Sequence, residues 1–148
     1  MTTQDVLKLN KAVLDSWNQH DTAKFLSLCD ESVVWREIGN PEPFRGKKGA
    51  GDFFEIWNIA FPDFTISLLN TIANETSVAA EIEFSGTNTG PMKMGDQSEI
   101  PATNRTVTAN KGSYFARFNS NGKLTEVNSY PDLAGMMVQL GLIQEPHL

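Results

Sequence analysis

Histidine, cysteine and positive charge are all scarce in this chain, and each scarcity removes a class of chemistry. The 148 residues include two histidines, His20 ahead of a predicted helix start and His147 beside the C-terminus. A zinc centre or a two-histidine iron site would have to draw on both ends of the chain, and a Ser-His-Asp or Cys-His system meets the same shortage. No metal site is expected. The single cysteine, Cys29, falls in the apolar run FLSLC, which excludes an intrachain disulfide and suits a buried structural thiol. Twelve Lys and Arg against eighteen Asp and Glu leave a net charge of -6, which repels a phosphate backbone or an anionic bilayer. Neither nucleic acid nor membrane is an expected partner. Long apolar runs are missing too, and the opening MTTQDVLKLNK lacks a basic segment followed by an apolar one, so the expectation is a soluble, cytoplasmic protein. The segment GKKGAG (46–51) does not have the spacing of a phosphate loop and reads as a loop entering a helix.

What is present is enough for one domain with one core, covering residues 1–148. Val6, Leu9, Val13 and Trp17 recur at helical spacing, and Asp21 is placed to cap a second short helix. VVWREI (33–38) is β-prone. Phe53, Phe54, Trp57 and Ala60 mark a third helix over 48–60. From residue 64 the apolar period becomes two, through Phe64, Ile66 and Leu68 and then Val78, Ala80, Ile82 and Phe84. A loop over 86–104 leads to a strand at about 105–118, and SNG (120–122) turns the chain into LTEVNSY. Helices first, then consecutive strands, then a short closing helix predict an α+β fold, a curved antiparallel or mixed sheet wrapped around the N-terminal helix. Such a cone-shaped barrel encloses a pocket unless side chains fill it.

Strand parity selects the inward candidates. Extending the apolar series of 78–84 by twos reaches Asn88, and Tyr114 alternates with Ala116 and Phe118 on one face. Trp35 and Glu37 share a face of the first strand, where Trp35 is most simply core and Glu37, next to a glycine turn, most simply exposed. In the last strand both faces are poor cores: Leu124, Glu126, Asn128, Tyr130 and Asp132 on one, Thr125, Val127, Ser129 and Pro131 on the other. Parity leaves that strand open. Asp132, between proline and the final helix, is either a helix cap or a base at a cavity mouth, and the two roles are compatible. Met92, Met94, Met136 and Met137 suit an adaptable apolar pocket or plain packing.

In order along the chain, LDSWNQHD, the VVW strand, FRGKKG, AFPDF, SGTNTG, the four-residue step from Asn128 to Asp132, and QLGL together resemble the SnoaL-like polyketide cyclases of the nuclear transport factor two-like superfamily. The resemblance implies a deep pocket that works without metal or organic cofactor, in a homodimer or higher homo-oligomer. It also implies that Asp132 is the general acid/base in an intramolecular aldol closure of a small hydrophobic, polyketide-like molecule. Trp35, Glu37, Asn88, Tyr114, Asn128 and Tyr130 are the expected ligand contacts. The sequence departs from the family pattern at Asn88, where histidine is common, and at Asn128, where tryptophan is. Two other readings stay open: a ketosteroid-isomerase-like proton shuttle with Glu37 as the acid, and a non-catalytic small-molecule-binding or dimerisation module.

Overall fold

The chain's architecture is that of a computed structural model, which describes residues 1–93 and 98–145. Met94 and His147 lie outside the described residues. Helices α1 (Thr3–Asn18) and α2 (Thr22–Ser27) precede β1 (Cys29–Glu37) and the short β2 (Phe44–Arg45). Helix α3 (Gly46–Ala60) is followed by β3 (Thr65–Ala73), β4 (Ser77–Thr87), the two-residue strands β5 (Met92–Lys93) and β6 (Glu99–Ile100), the long β7 (Thr106–Phe118), β8 (Leu124–Pro131) and α4 (Leu133–Gln139).

Local sequence explains most of these boundaries. Helix α1 opens with a reciprocal capping box, Thr2 Oγ1 accepting from the Asp5 amide and Asp5 accepting from the Thr2 amide. Asp21 caps α2 by accepting from the Lys24 amide at 3.0 Å. Gly122, at φ 72°, makes the left-handed turn between β7 and β8 that a side chain would resist. Cys29 begins β1 rather than continuing a helix, and the expected featureless loop over 86–104 contains the β5/β6 pair.

The main sheet runs β2-β1-β8-β7-β4-β3, antiparallel throughout except where β1 and β8 lie parallel. Helix α1 packs on β3 and β4, and α3 on β1, so the sheet curls around both. Between sheet and helices an aromatic core forms: Trp17 stacks on Trp35 at 5.2 Å and meets Phe54 at 4.6 Å, while Phe64 stacks on Phe84 at 5.5 Å. Rings of this size dominate the burial energy. Truncating Phe54, which is fully buried, should cost about 3–5 kcal/mol.

Candidate functional site

Register across three strands builds one polar row on the inner face. Glu37 of β1 stands opposite Ser129 of β8, Ser129 opposite Tyr114 of β7, and Tyr114 opposite Ala80 of β4. Directly opposed residues share a face, so these side chains point together towards the helices. The neighbouring row is apolar: Trp35, Val127, Ala116 and Val78. Glu37 and Tyr114 are two strand spacings apart, roughly 10 Å between their backbones.

Above this row lies a cavity of about 100 Å³ walled by Trp17, Trp35, Phe53, Trp57, Ile66 and Phe84, with Glu37, Ser129, Tyr114, Asn10 and Asn110 among its polar lining. Glu37 is the only carboxylate in that lining among the described residues. A turn at Gly39, φ 88°, follows its strand, yet the acid is not exposed as its place beside a glycine suggests: it is half-buried on the inner face, opposite Ser129. Burial pushes its pKa up to about 7, against hydrogen bonds from the Trp35 indole and Ser129 that pull it down. The Trp35 Nε1–H donates to Glu37 Oε2 at 3.3 Å. Such a carboxyl exchanges its proton near neutral pH, which is what a general acid/base needs.

The opposite end of the row holds a phenol. Tyr114 donates its hydroxyl to Asn10 Oδ1, a buried amide on α1, and burial raises its pKa, so it stays a donor. Trp17 lines the same cavity, and its buried indole N–H has no hydrogen-bond partner among the described residues. A base at one side and donors at the other are the parts needed to take a proton next to a carbonyl and hold the oxygen that gains charge.

The other expected site residues are elsewhere. Asp132 is exposed, caps α4 by accepting from the Gly135 amide at 2.8 Å, and is absent from the cavity lining. Asn128 and Tyr130 face the outer side of the sheet, where Asn128 donates to Glu126 at 3.0 Å and Tyr130 packs edge-on to Phe115. The reason is a bulge: Arg117 opposes Glu126 and Phe118 opposes Leu124, leaving Thr125 unpaired and reversing the alternation after Leu124. Asn88 does turn inward and is buried, but its amide is consumed by structure. It donates to the carbonyls of Ala60 and Gly90 and accepts from the Thr103 amide and hydroxyl. Of the expected contacts, the fold therefore brings together Trp35, Glu37 and Tyr114.

Asn10, Ser129 and Asn110 were missed. Asn10 had a readable signal, since the buried stripe of α1 is Val6, Asn10, Leu14 and Trp17, with a polar residue at a core position. Ser129 shares parity with Val127. Asn110 donates to the Asp132 carbonyl at 3.1 Å and had no such marker. His20 is a clasp rather than a ligand, bonded to Asn58 and to the Phe64 carbonyl. The Cys29 thiol is buried and pushed up to about 12, which makes it a poor nucleophile. Among the described residues no helix is long and apolar enough to cross a membrane.

Comparison with known proteins adds a family and a set of neighbours. Residues 7–140 match the family model described as SnoaL-like polyketide cyclase. No curated protein matches the chain. Among solved structures, AclR, a candidate hydroxylase from Streptomyces galilaeus, aligns with TM-score 0.80 at 20% identity over 99% of this chain and 87% of its own. IdmH, a candidate polyketide cyclase from Streptomyces antibioticus, aligns with TM-score 0.74 at 20% identity over 90% and 96%. A Mycobacterium tuberculosis protein solved in complex with estradiol-17β-hemisuccinate aligns with TM-score 0.66 at 20% identity over 90% and 97%. At these identities the likeness shows a shared fold.

Proposed function

Because the chain belongs to the SnoaL-like polyketide cyclase family, we propose that it is a cofactor-independent enzyme that moves a proton on a small hydrophobic carbonyl compound. Ring closure by intramolecular aldol addition and double-bond migration both begin with that step. One observation carries the reading: a half-buried acid, Glu37, lines an aromatic cavity with its pKa pushed up to about 7. Glu37 removes the proton next to the carbonyl, and the enolate oxygen is met by Tyr114, released from Asn10, or by the Trp17 N–H. Ser129 is a positioning residue whose hydrogen bond holds the Glu37 carboxylate and tempers its basicity.

Asp132 is the competing base, supported by the family resemblance. Its carboxylate already accepts an amide from the first turn of α4, so the geometry favours Glu37. The test needs no cognate substrate: deuterium exchange at the α-carbon of a panel of cyclic ketones and 1,3-diketones, followed by proton NMR. Glu37→Gln should lose about 10²–10⁴-fold of the catalysed rate, with Asp132→Asn close to wild type. The reverse pattern would reinstate Asp132, and ligands bound without exchange in any variant would favour a non-catalytic binding module.

The expected homo-oligomer has a candidate face. Ile72, Phe115 and Tyr130, 72%, 55% and 44% exposed, project from the outer side of the sheet, where Ile72, Ala79, Phe115 and Asn128 form one cross-strand row. A second copy covering this face would remove apolar surface from water. Light scattering on the wild type and on Phe115→Lys should then give a dimer and a monomer.

A further inference from the structure

The inner cavity is too small for a drug-sized ligand. At about 100 Å³ it falls below the roughly 300–1,000 Å³ of pockets that hold drug-sized ligands. A second concavity supplies that room. It is a cleft of about 600 Å³ between the β1–β2 connection, α3 and the start of α4, with walls that include Phe44, Ile56, Ile59, Met92, Leu133 and Met137. Glu37, Phe53 and Trp57 line both spaces, so the acid stands at their common boundary.

We infer that the ligand is a neutral, two-part molecule: a small oxygen-bearing unit enters the inner cavity, and a larger apolar body remains in the outer cleft, with the reacting carbon at the boundary beside Glu37. The inner end is matched by the Trp17 N–H, a donor without a partner among the described residues, and by Tyr114. The outer end is matched by aliphatic and aromatic walls. Charge disfavours an anion: the cleft is lined by Glu37, Glu42, Asp52 and Glu55 against Lys93, and although Lys48 pairs with Asp52 at 2.8 Å, negative groups still prevail. The placement of the reacting carbon rests on Glu37 as the proton shuttle; two-compartment binding stands without it.

Of the chain's three tryptophans, Trp17 and Trp35 line the inner cavity alone and Trp57 lines both spaces, so the Trp17 and Trp35 indole NMR signals report on the inner cavity. The intact chain would be titrated with cyclohexanone, as a small neutral probe, and with N-phenyl-1-naphthylamine, as a bulky neutral one whose fluorescence rises in apolar surroundings. Ile59→Lys places a charge on an exposed wall of the cleft, and Ile66→Phe fills the inner cavity, with Ala116→Val as a milder filling variant should Ile66→Phe fail to fold. Ile59→Lys should weaken the naphthylamine about tenfold and leave the cyclohexanone shift of the Trp17 signal intact, while Ile66→Phe should do the opposite. The sulfonated analogue 1-anilinonaphthalene-8-sulfonate should bind more weakly than the neutral probe, by a margin that shrinks as salt is added. Loss of naphthylamine binding on filling the inner cavity alone, or no binding of either probe, would overturn the proposal. Glu37→Gln separates the two readings: both binding signals retained with exchange abolished supports both, and both signals retained with exchange unchanged sinks the shuttle alone.

Discussion

The ends of β1 and β8 lie side by side in the one parallel pair of the main sheet, and each finishes close to an acid. Glu37 ends β1, and Asp132 follows the last residue of β8. The two carboxyls nevertheless have different physics. Glu37 lies on the inner face beside Trp35, where desolvation favours its neutral form. Asp132 lies past the sheet in solvent, where the Gly135 amide takes one of its oxygens and the charge serves the first turn of α4. An acid at a strand end therefore says little about chemistry until its face and its donors are known. Parity decides the first and helix geometry the second.

The strongest way to break this comparison is to exchange the fates of the two acids in the ketone-exchange assay described above, where Glu37→Gln is expected to be crippling and Asp132→Asn nearly silent. A smaller but comparable loss, about 10²-fold in kcat, is expected for Tyr114→Phe, which removes the phenolic donor at the far end of the row and keeps its ring. If exchange survives that change, the Trp17 N–H is the sufficient donor.

The pH profile sharpens the contrast further. As a base Glu37 must be ionised, so kcat/KM should rise through about pH 7. Ser129→Ala removes a hydrogen bond that favours the ionised form, and the midpoint should move to higher pH. A profile that does not move would assign Ser129 to packing alone.

Stability carries the mirror image of these effects. For Glu37 the folded pKa of about 7 exceeds its ordinary 4.5, so the fold favours the protonated acid. That contribution is complete below pH 4.5 and is lost as pH rises through 7. Glu37→Gln should match the wild type at pH 4 and exceed it by about 1–2 kcal/mol at pH 8, measured by urea unfolding. At pH 8 Asp132→Ala should lose about 1 kcal/mol through its missing cap, with Asp132→Asn losing less. A Glu37→Gln variant no more stable than the wild type at pH 8 would erase the distinction between the acids.

The bulge at Thr125 makes the last and smallest test. Deleting Thr125 leaves Leu124, Val127, Ser129 and Pro131 on the inner face and should be tolerated, whereas deleting Asn128 turns Ser129 and Pro131 outward. Circular dichroism and proton exchange should show a native fold for the first deletion and a disrupted inner row for the second.

Much of the molecule was legible from its residues. Helical spacing marked α1 and α3, period-two alternation marked β3 and β4, the capping Asp21 and Asp132 marked helix starts, and Tyr114, Ala116 and Phe118 were assigned to the inner face on which they lie. These are local rules, set by which side chains must leave water within a few residues of one another. What the chain could not declare was the set of relations between distant segments. Neither the unpaired Thr125, which turns Asn128 and Tyr130 outward, nor the pairing that lines up Glu37, Ser129 and Tyr114 is written in any one stretch, because both arise from hydrogen-bond register between strands. The same holds for Asn88, whose inward direction was readable and whose hydrogen bonds to Ala60, Gly90 and Thr103 were not. The sequence determined the elements and the family; tertiary structure alone decided which acid is desolvated, because desolvation depends on everything that surrounds a carboxyl group and not on its neighbours in the chain.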